Sequence, residues 1–326
     1  MSALKMAETL LETIELTKSF RVRRAPFGGK RVENVAVDRV SLSVGEGETL
    51  GLVGESGCGK STLALTAMRL YEPTGGRIVF AGQDITRLGE RALKPVRRQM
   101  QMIFQDPFAS LDPRLTVEQI VGEPLVIHET STRKERAAAV GRLLERVGLD
   151  AGDMHRYPAE FSGGQQQRIG IARALALRPR LLICDEPVSA LDVSVQAQIL
   201  NLLRDLQDEF RLAYLFISHN IAVTAFMSRR IGVMYLGRVV ETGASKLIVN
   251  APRHPYTRAL VAAVPEPDPS RRVDEGGVRG DVPDLAGRPS GCAFRTRCPL
   301  AESRCETEEP PLRRVGEGHE VACHFA

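Results

Sequence analysis

The chain has 326 residues with 44 Lys or Arg, 40 Asp or Glu and a formal net charge of +4. The near balance of charge gives little support to a nucleic-acid partner, and the length suits about two domains. No apolar run approaches the roughly eighteen residues that span a bilayer, and no secretory signal pattern is present. We therefore expect a cytoplasmic protein, whose six cysteines favour metal binding over disulfides.

Residues 10–53 alternate between apolar and polar positions, which predicts strands on either side of a Gly/Arg-rich insertion. The basic run from Lys18 to Arg31 contains no acidic residue. It is either a solvated loop or a contact with an anionic surface such as lipid headgroups or nucleotide phosphate. Phe20 is either a surface aromatic residue or one that stacks on a base.

A short apolar run, 49–53, leads into a glycine-rich loop, and helix-forming residues follow from Thr62. Glycines in this context let successive backbone N–H groups surround phosphates at a helix N-terminus. A lysine at the end of the loop would reach the terminal phosphates, and the hydroxyl after it would ligate magnesium. The alternative is a glycine-rich turn with an incidental lysine. The loop consists of Gly54, Glu55, Ser56, Gly57, Cys58, Gly59, Lys60 and Ser61.

Further along the chain, residues 77–80 predict a strand, and residues 99–104 predict another that ends at Gln105. A glutamine at a strand end usually does no more than contact solvent. Residues 115–157 change to helical spacing, which indicates a helical insertion between strands. We expect a further helix to run from Ser162 to Pro179. Its glycine-rich start is either an ordinary N-cap or a second anion site.

The apolar residues 181–184 predict a strand buried on both faces, and two carboxylates follow it. Asp185 is placed to orient magnesium through its waters, and Glu186 is placed to position an attacking water or accept its proton. Two acidic residues after a strand often form only a turn. A last core strand is predicted at 212–217 and leads to His219, which is either a structural hydrogen-bonding residue or part of the phosphate-facing edge.

These motifs, in this order, resemble the ATP-binding subunit of an ABC transporter over residues 10–250. The resemblance implies that Lys60 and Ser61 hold ATP and magnesium. It also implies that Gln105 senses magnesium and water, that Glu186 is the catalytic carboxylate and that His219 contacts the terminal phosphate. One departure is Asn220, where the family commonly has aspartate.

The same resemblance implies that Phe20 stacks on adenine and that Asp192 lies at the junction of an ATPase dimer. Four residues at a helix start would close over ATP bound to the partner ATPase, so that they serve the opposite site. These are Ser162, Gly163, Gly164 and Gln165.

The resemblance implies an α/β fold: a P-loop NTPase (RecA-like) nucleotide-binding domain with an N-terminal antiparallel β layer and a helical subdomain. We expect this domain to cover residues 1–250, with the helical subdomain at about 106–165. Residues 251–326 would form a small, loop-rich accessory domain after a proline-spaced linker at 264–269. This tail is similar to that of oligopeptide and dipeptide importer ATPases, and the stretch 184–203 resembles the F-type subunit of that pair.

The tail carries four cysteines, separated by gaps of five, six and seventeen residues. A small loop-rich segment buries little apolar area, which favours a stabilising metal. Similar members of the family carry a 4Fe-4S cluster at this place. A zinc site, with His319 or His324 replacing one thiolate, and four reduced thiols are the alternatives. The residues are Cys292, Cys298, Cys305 and Cys323; Cys58 and Cys184 are interpreted as small core residues.

The resemblance implies an ATPase that drives peptide uptake at the cytoplasmic face of the membrane. Its partners would be a second ATPase in a heterodimer, two membrane permeases and an extracytoplasmic binding protein, with no nucleic acid. Nickel, glutathione or another solute could replace the peptide. One rival is a soluble ABC-type ATPase that acts on DNA or the ribosome. Another is a redox-sensing module, in which the cluster regulates the enzyme rather than stabilising it.

Overall fold

The computed structural model describes residues 9–23, 31–129, 131–264, 283 and 287–326. Two sequence predictions fall largely outside these residues. They concern the insertion at 24–30, with part of the basic run, and nearly all of the proline-spaced linker. Within the described ranges no helix is long and apolar enough to cross a membrane.

The strands are numbered in chain order. They are β1 (Thr9–Arg23), β2 (Arg31–Gly45), β3 (Thr49–Val53), β4 (Gly75–Phe80), β5 (Gln83–Asp84), β6 (Met100–Ile103), β7 (Leu181–Asp185), β8 (Ala213–Ser218), β9 (Arg230–Tyr235), β10 (Arg238–Ala244), β11 (Arg313–Gly316) and β12 (His319–Val321).

The α-helices are numbered in the same way. They are α1 (Lys60–Ala67), α2 (Glu90–Gln99), α3 (Pro107–Ser110), α4 (Val117–His128), α5 (Arg133–Arg146), α6 (Gly163–Leu175), α7 (Val193–Phe210), α8 (Ile221–Met227), α9 (Ser245–Asn250), α10 (Pro255–Ala262) and α11 (Arg304–Thr307).

The chain divides into two compact units. The first unit comprises Met1–Leu10, Val44–Glu48 and Arg87–Phe216. The second unit comprises Leu11–Ser43, Thr49–Thr86 and Ile217–Ala326.

The first unit contains a parallel strand pair and a group of helices. Strands β6 and β7 pair in parallel, from Met100 opposite Leu181 to Ile103 opposite Cys184. Helices α4, α5 and α6 pack on one another. Capping boxes at Thr116 and Ser162 fix the starts of α4 and α6 by satisfying N–H groups that a helix leaves unpaired. The helical character predicted for residues 115–157 is confirmed.

The second unit contains two groups of strands. The first group is the predicted N-terminal antiparallel layer, in the order β2-β1-β4-β5. The other group has the order β11-β12-β10-β9-β3. In it, β3 and β9 are parallel, and the pairs β9–β10, β10–β12 and β11–β12 are antiparallel. Every residue of β3 is buried, as expected for a strand covered on both faces.

The structure corrects the prediction that residues 212–217 form the last core strand, because β9 and β10 follow it. Residues 231–235 of β9 are all buried, and sequence reasoning missed this apolar run. Two element ends also differ from the prediction. Gln99 ends helix α2 rather than starting a strand, and the helix that begins after Ser162 ends at Leu175 rather than at Pro179.

The separate loop-rich domain predicted for the tail is not confirmed. Strand β12 pairs with β10, and Tyr256 and Phe294 are buried in one apolar cluster with Val53, Val233 and Tyr235. The tail therefore supplies part of the core of the second unit. The boundary near residue 250 stays a prediction.

Candidate functional site

The predicted ATP-site residues are distributed over both units. The phosphate loop, residues 54–61, lies in the second unit, follows β3 and runs into the first turn of α1. Gly57 and Gly59 have φ angles of +78° and +104°, in the left-handed region that favours glycine. A Cβ at Gly54 or Gly59 would clash with the carbonyl oxygen of Met234 or Ala36 respectively. This loop geometry therefore depends on glycine at both places.

Lys60 is buried at the first position of α1. Its Nζ donates to the carbonyl oxygens of Gly54 and Glu55, at 2.7 and 3.0 Å. The ammonium group thus lies over the loop, beside the positive end of a helix with no acidic residue in its first turn. This arrangement favours a polyphosphate anion.

The other loop residues differ in exposure. Ser56 and Gly57 are exposed, whereas Ser61 and Thr62 are half-buried in the first turn of α1. Cys58 is fully buried, and this burial raises the pKa of its thiol. The interpretation of Cys58 as a small core residue agrees with this environment.

In the first unit, the structure brings Gln105 and Glu186 together. The Gln105 Nε2 donates to the Glu186 Oε2 at 3.2 Å. Asp185 ends strand β7, and both Asp185 and Glu186 are buried. Glu186 has a φ angle of +47°, in the left-handed region that residues with a side chain adopt uncommonly.

Ser162 is the N-cap of α6 and forms a capping box with Gln165. The Ser162 hydroxyl accepts from the Gln165 N–H at 3.4 Å, and the Gln165 side chain accepts from the Ser162 N–H at 2.9 Å. Both residues are exposed. A Cβ at Gly164 would lie 2.5 Å from Val195 Cγ1, whereas one at Gly163 would have only ordinary contacts. Gly164 thus permits the close approach of α6 to α7.

Asp192 is exposed and caps helix α7. Its Oδ1 accepts from the Ser194 hydroxyl at 2.7 Å and from the Val195 N–H at 2.9 Å. These hydrogen bonds, first that of Ser194, lower the pKa of Asp192. The structure thus gives Asp192 a local role in starting α7.

His219 lies in the second unit, exposed just beyond the carboxyl end of β8. The next residue, Asn220, caps α8, since its Oδ1 accepts from the N–H groups of Ala222 and Val223 at 2.9 and 3.2 Å. Asparagine and aspartate are comparable N-caps. The departure at residue 220 therefore preserves the start of this helix.

Phe20 is half-buried near the end of β1. Its ring meets the ring of Tyr71 edge-on, with centroids 5.5 Å apart, and Lys18 Nζ lies 4.8 Å from its centroid. Phe20 thus belongs to a small aromatic and cationic cluster. Such a cluster is compatible with contact to an adenine ring.

The cysteines of the tail are close enough to interact electrostatically. The pKa of the Cys292 thiol is raised to about 11 by burial and, secondarily, by Cys305, Cys298 and Cys323. The Cys292 N–H donates to the Cys305 carbonyl oxygen at 2.8 Å. Among the described residues, however, no three His, Cys, Asp or Glu side chains form a group that could hold a metal ion. None of the six cysteines, all of them described, forms a disulfide.

The two histidines considered as zinc ligands have other partners. His319 Nε2 lies 2.7 Å from Glu241 Oε1, and both side chains are almost fully buried. His324 Nε2 lies 3.0 Å from the Glu308 carbonyl oxygen. These contacts disfavour the alternative in which a histidine replaces one thiolate.

Sequence reasoning missed two residues that contact the phosphate loop. The Tyr256 hydroxyl accepts from the Glu55 N–H at 2.8 Å, and Arg297 forms two hydrogen bonds with the Glu55 carboxylate. Burial raises the pKa of Tyr256. The bond to Glu55 is the main cause of the raised pKa of Arg297. Nothing in the spacing of these residues from the loop could have revealed the contacts.

The comparisons agree with this geometry. The family model for the ABC transporter matches residues 37–189. Among solved structures, the ATP-binding cassette MJ0796, as a dimer in a post-hydrolysis state with ADP and Pi, has a TM-score of 0.65 and 29% identity, over 72% of this chain and 99% of that one. The phosphate loop and fold thus define an ATP-binding protein of the ABC transporter class.

Comparison over the whole chain indicates a particular family within the ABC transporter class. The model described as the oligopeptide/dipeptide transporter C-terminal region matches residues 240–305. The oligopeptide transport ATP-binding protein AppF of Bacillus subtilis is 51% identical over 98% of both chains. The probable peptide ABC transporter ATP-binding protein y4tS of Sinorhizobium fredii is 52% identical over 98% of this chain and 90% of that one. The chain belongs to the ATP-binding proteins of the oligopeptide/dipeptide ABC transporter family.

Proposed function

We propose that this protein hydrolyses ATP to drive the import of oligopeptides or dipeptides through partner permeases. The observation that carries the proposal is its 51% identity, over 98% of both chains, to a protein named for oligopeptide transport. The similarity includes the tail, which has a matching family model of its own.

The residues of the first unit support hydrolysis by water. Glu186 is the carboxylate that orients the attacking water and accepts its proton, and the hydrogen bond from Gln105 holds it in place. In the second unit, Lys60 and the N-terminus of α1 bind the phosphates and stabilise negative charge as it develops.

The donor chemistry of the predicted magnesium ligands fits that ion. The Ser61 hydroxyl, the Gln105 amide oxygen and the Asp185 carboxylate are hard oxygen donors, which magnesium prefers. Magnesium would neutralise phosphate charge and leave Glu186 to act on water.

We infer that a second ATPase completes each ATP site, with this chain as the F-type subunit of a heterodimer. The exposed serine at the start of α6 and the exposed Asp192 are groups that a partner chain could contact. Removing one well-placed donor costs about 3 kcal/mol of transition-state stabilisation, so the chain alone should be slow. Two permeases and an extracytoplasmic binding protein would complete the importer at the cytoplasmic face of the membrane, with no nucleic acid bound.

The test is ATP turnover by the chain alone and in a complex with the second ATPase and the permeases. We expect a low rate alone, a higher rate in the complex, and loss of the rate with Glu186→Gln. The matched control is Glu145→Gln, which makes the same chemical change on an exposed residue of α5 and should leave turnover unchanged. A high rate alone, indifferent to the membrane partners, would instead indicate a soluble ATPase.

We also propose that the four tail cysteines hold a 4Fe-4S cluster. What supports the proposal is that the Cys292 N–H donates to the Cys305 carbonyl oxygen, that Cys298, Cys305 and Cys323 all add to the raised pKa of Cys292, and that His319 and His324 have other partners, which leaves an all-thiolate ligand set. The described residues do not hold three of these thiols together as a ready metal group, so a cluster would have to draw them together. Such a site would lower the pKa values of the Cys292 and Cys298 thiols, which burial raises, because the bound form is the thiolate.

Metal analysis of protein purified without oxygen tests this proposal. We expect about four iron and four sulfide per chain, lost on Cys305→Ser and retained on Cys184→Ala, which changes a thiol outside the tail. Zinc at one per chain, or no metal in correctly folded protein, would contradict the cluster.

A further inference from the structure

The second residue of the phosphate loop, Glu55, is held by two side chains from the C-terminal part of the chain. The Tyr256 hydroxyl accepts from its N–H at 2.8 Å. The Arg297 Nη1 and Nη2 donate to its two carboxylate oxygens at 2.7 and 2.9 Å. The Arg297 side chain is 5% exposed and that of Glu55 26%. This bidentate pair fixes the orientation of Glu55 more firmly than a single hydrogen bond would.

The guanidinium is itself held in place by the core of the second unit. Arg297 Cζ lies 5.9 Å from the centroid of the Tyr235 ring. The Tyr235 ring packs against Tyr256 and Phe294, at centroid distances of 4.8 and 5.2 Å. The backbone N–H of Arg297 donates to the Phe294 carbonyl oxygen at 3.0 Å, which fixes the main chain from which the guanidinium extends. Arg297 is therefore a preorganised group rather than a mobile surface arginine.

The pair has an electrostatic consequence for the loop. A carboxylate beside Gly54 places negative charge in a loop that binds a polyphosphate, and like charges repel more strongly where water is partly excluded. Arg297 offsets that charge and directs the carboxylate toward the tail. The Glu55 carbonyl oxygen also accepts from Lys60 Nζ, so the position of Glu55 bears on that of the phosphate-binding lysine.

We propose that Arg297 is a positioning residue of the ATP site, which neutralises and orients Glu55 so that the phosphate loop binds ATP tightly. Through this residue, the cysteine-containing tail is a working part of the nucleotide site. The inference rests on the proposed ATPase function, because it assigns ATP binding to this loop.

The experiment measures ATP affinity in the full chain carrying Glu186→Gln, so that hydrolysis does not disturb the equilibrium. Arg297→Gln should raise the Kd for ATP by roughly tenfold, since an uncompensated charge then lies beside the phosphates. Arg297→Lys keeps the charge but loses the two-point geometry, and should give an intermediate Kd. In the complex with wild-type Glu186, Arg297→Gln should raise KM far more than it lowers kcat.

A rescue variant separates positioning from stability. Adding Glu55→Gln to Arg297→Gln removes the uncompensated carboxylate and should return the Kd to within about threefold of the parent. A purely structural role for Arg297 would leave the double variant as weak as the single one. The matched control is Arg295→Gln, two residues away, where the guanidinium donates to the Ser290 carbonyl and hydroxyl oxygens; it should not change the Kd.

The possible results distinguish failure of the proposed function from failure of the role assigned to Arg297. Failure of the parent chain to bind ATP would overturn the proposed function itself. ATP binding by the parent with an unchanged Kd for Arg297→Gln would overturn only the role of Arg297, as would failure of Glu55→Gln to rescue it. If Arg297→Gln does not fold, the Kd of Arg297→Lys and of the double variant decides the question in the same way.

Discussion

At the residue scale, Glu186 and Gly164 are positions where the fold overrides a local conformational preference. Glu186 has a backbone conformation that favours glycine, and Gly164 is a glycine inside a helix. Glu186 adopts a left-handed φ angle at a cost on the order of 1–3 kcal/mol. The fold retains this strain at the residue that we propose as the catalytic carboxylate. At Gly164, helix propensity favours a residue with a side chain, but the packing against Val195 leaves no room for one.

Gly164→Ala should lower the free energy of unfolding by about 1 kcal/mol. Alanine gains about 1 kcal/mol in helix propensity, but its Cβ would lie 2.5 Å from Val195 Cγ1, and overpacking costs about 1–3 kcal/mol. Val195 is β-branched and its χ1 rotamer is restricted, so its side chain cannot easily move away from the new methyl group. Urea unfolding measures the change in the free energy of unfolding. The double variant Gly164→Ala plus Val195→Ala removes the clashing methyl group and is measured beside the single variant. A single variant more stable than the parent would show that α6 and α7 can separate freely.

At the element scale, the start of helix α10 depends on a neutral histidine. His254 Nδ1 accepts from the Tyr256 N–H at 3.0 Å, and burial lowers the pKa of His254 to about 3. The unfolded chain therefore binds a proton below about pH 6.5, its ordinary pKa, while the folded chain does not. The stabilising contribution is complete above pH 6.5 and is lost as the pH falls toward 3.

We therefore expect stability to fall by about 1.4 kcal/mol per pH unit below about pH 6.5, from this group alone. His254→Asn keeps an N-cap acceptor without a titrating ring and should flatten this dependence. Urea unfolding at pH 7.5, 6.0 and 5.0, in parallel for both chains, measures the difference. Identical slopes would mean that the His254 ring is not held neutral.

The elements also show what sequence alone could predict. The phosphate loop, β7 with its two acidic residues, and the helices of the first unit have strong local signals, because glycine spacing and apolar periodicity report on neighbours in sequence. Strand β9 has a clear apolar run at 231–235 that sequence reasoning overlooked. The three-residue strand β12 has a weak signal, since its place depends on pairing with β10. The contact of Arg297 with Glu55 joins residues 242 positions apart, and no local pattern encodes it.

At the scale of the whole molecule, the tail contributes to the core of the unit that carries the phosphate loop. Phe294→Ala should cost about 3–5 kcal/mol of stability, because it opens a cavity against Tyr235 and Tyr256. Leu300→Ala, at a side chain of the same tail that is 48% exposed, should change stability by less than about 0.5 kcal/mol. Thermal and urea unfolding compare the two. Equal, small effects would mean that the tail folds independently of the core.

The position of β11 and β12 beside β10 has a consequence for solubility. Among the strands that the structure describes, β11 is outermost in its group. Its exposed Arg313 and Arg314 place positive charge at this strand edge, a feature that discourages association with other chains. Without β12, the backbone of β10 would offer unpaired N–H and C=O groups to any passing strand. The tail therefore protects the molecule from edge-to-edge aggregation. We expect chains truncated before β12 to aggregate, so that a loss of activity in such chains would reflect aggregation rather than a damaged ATP site.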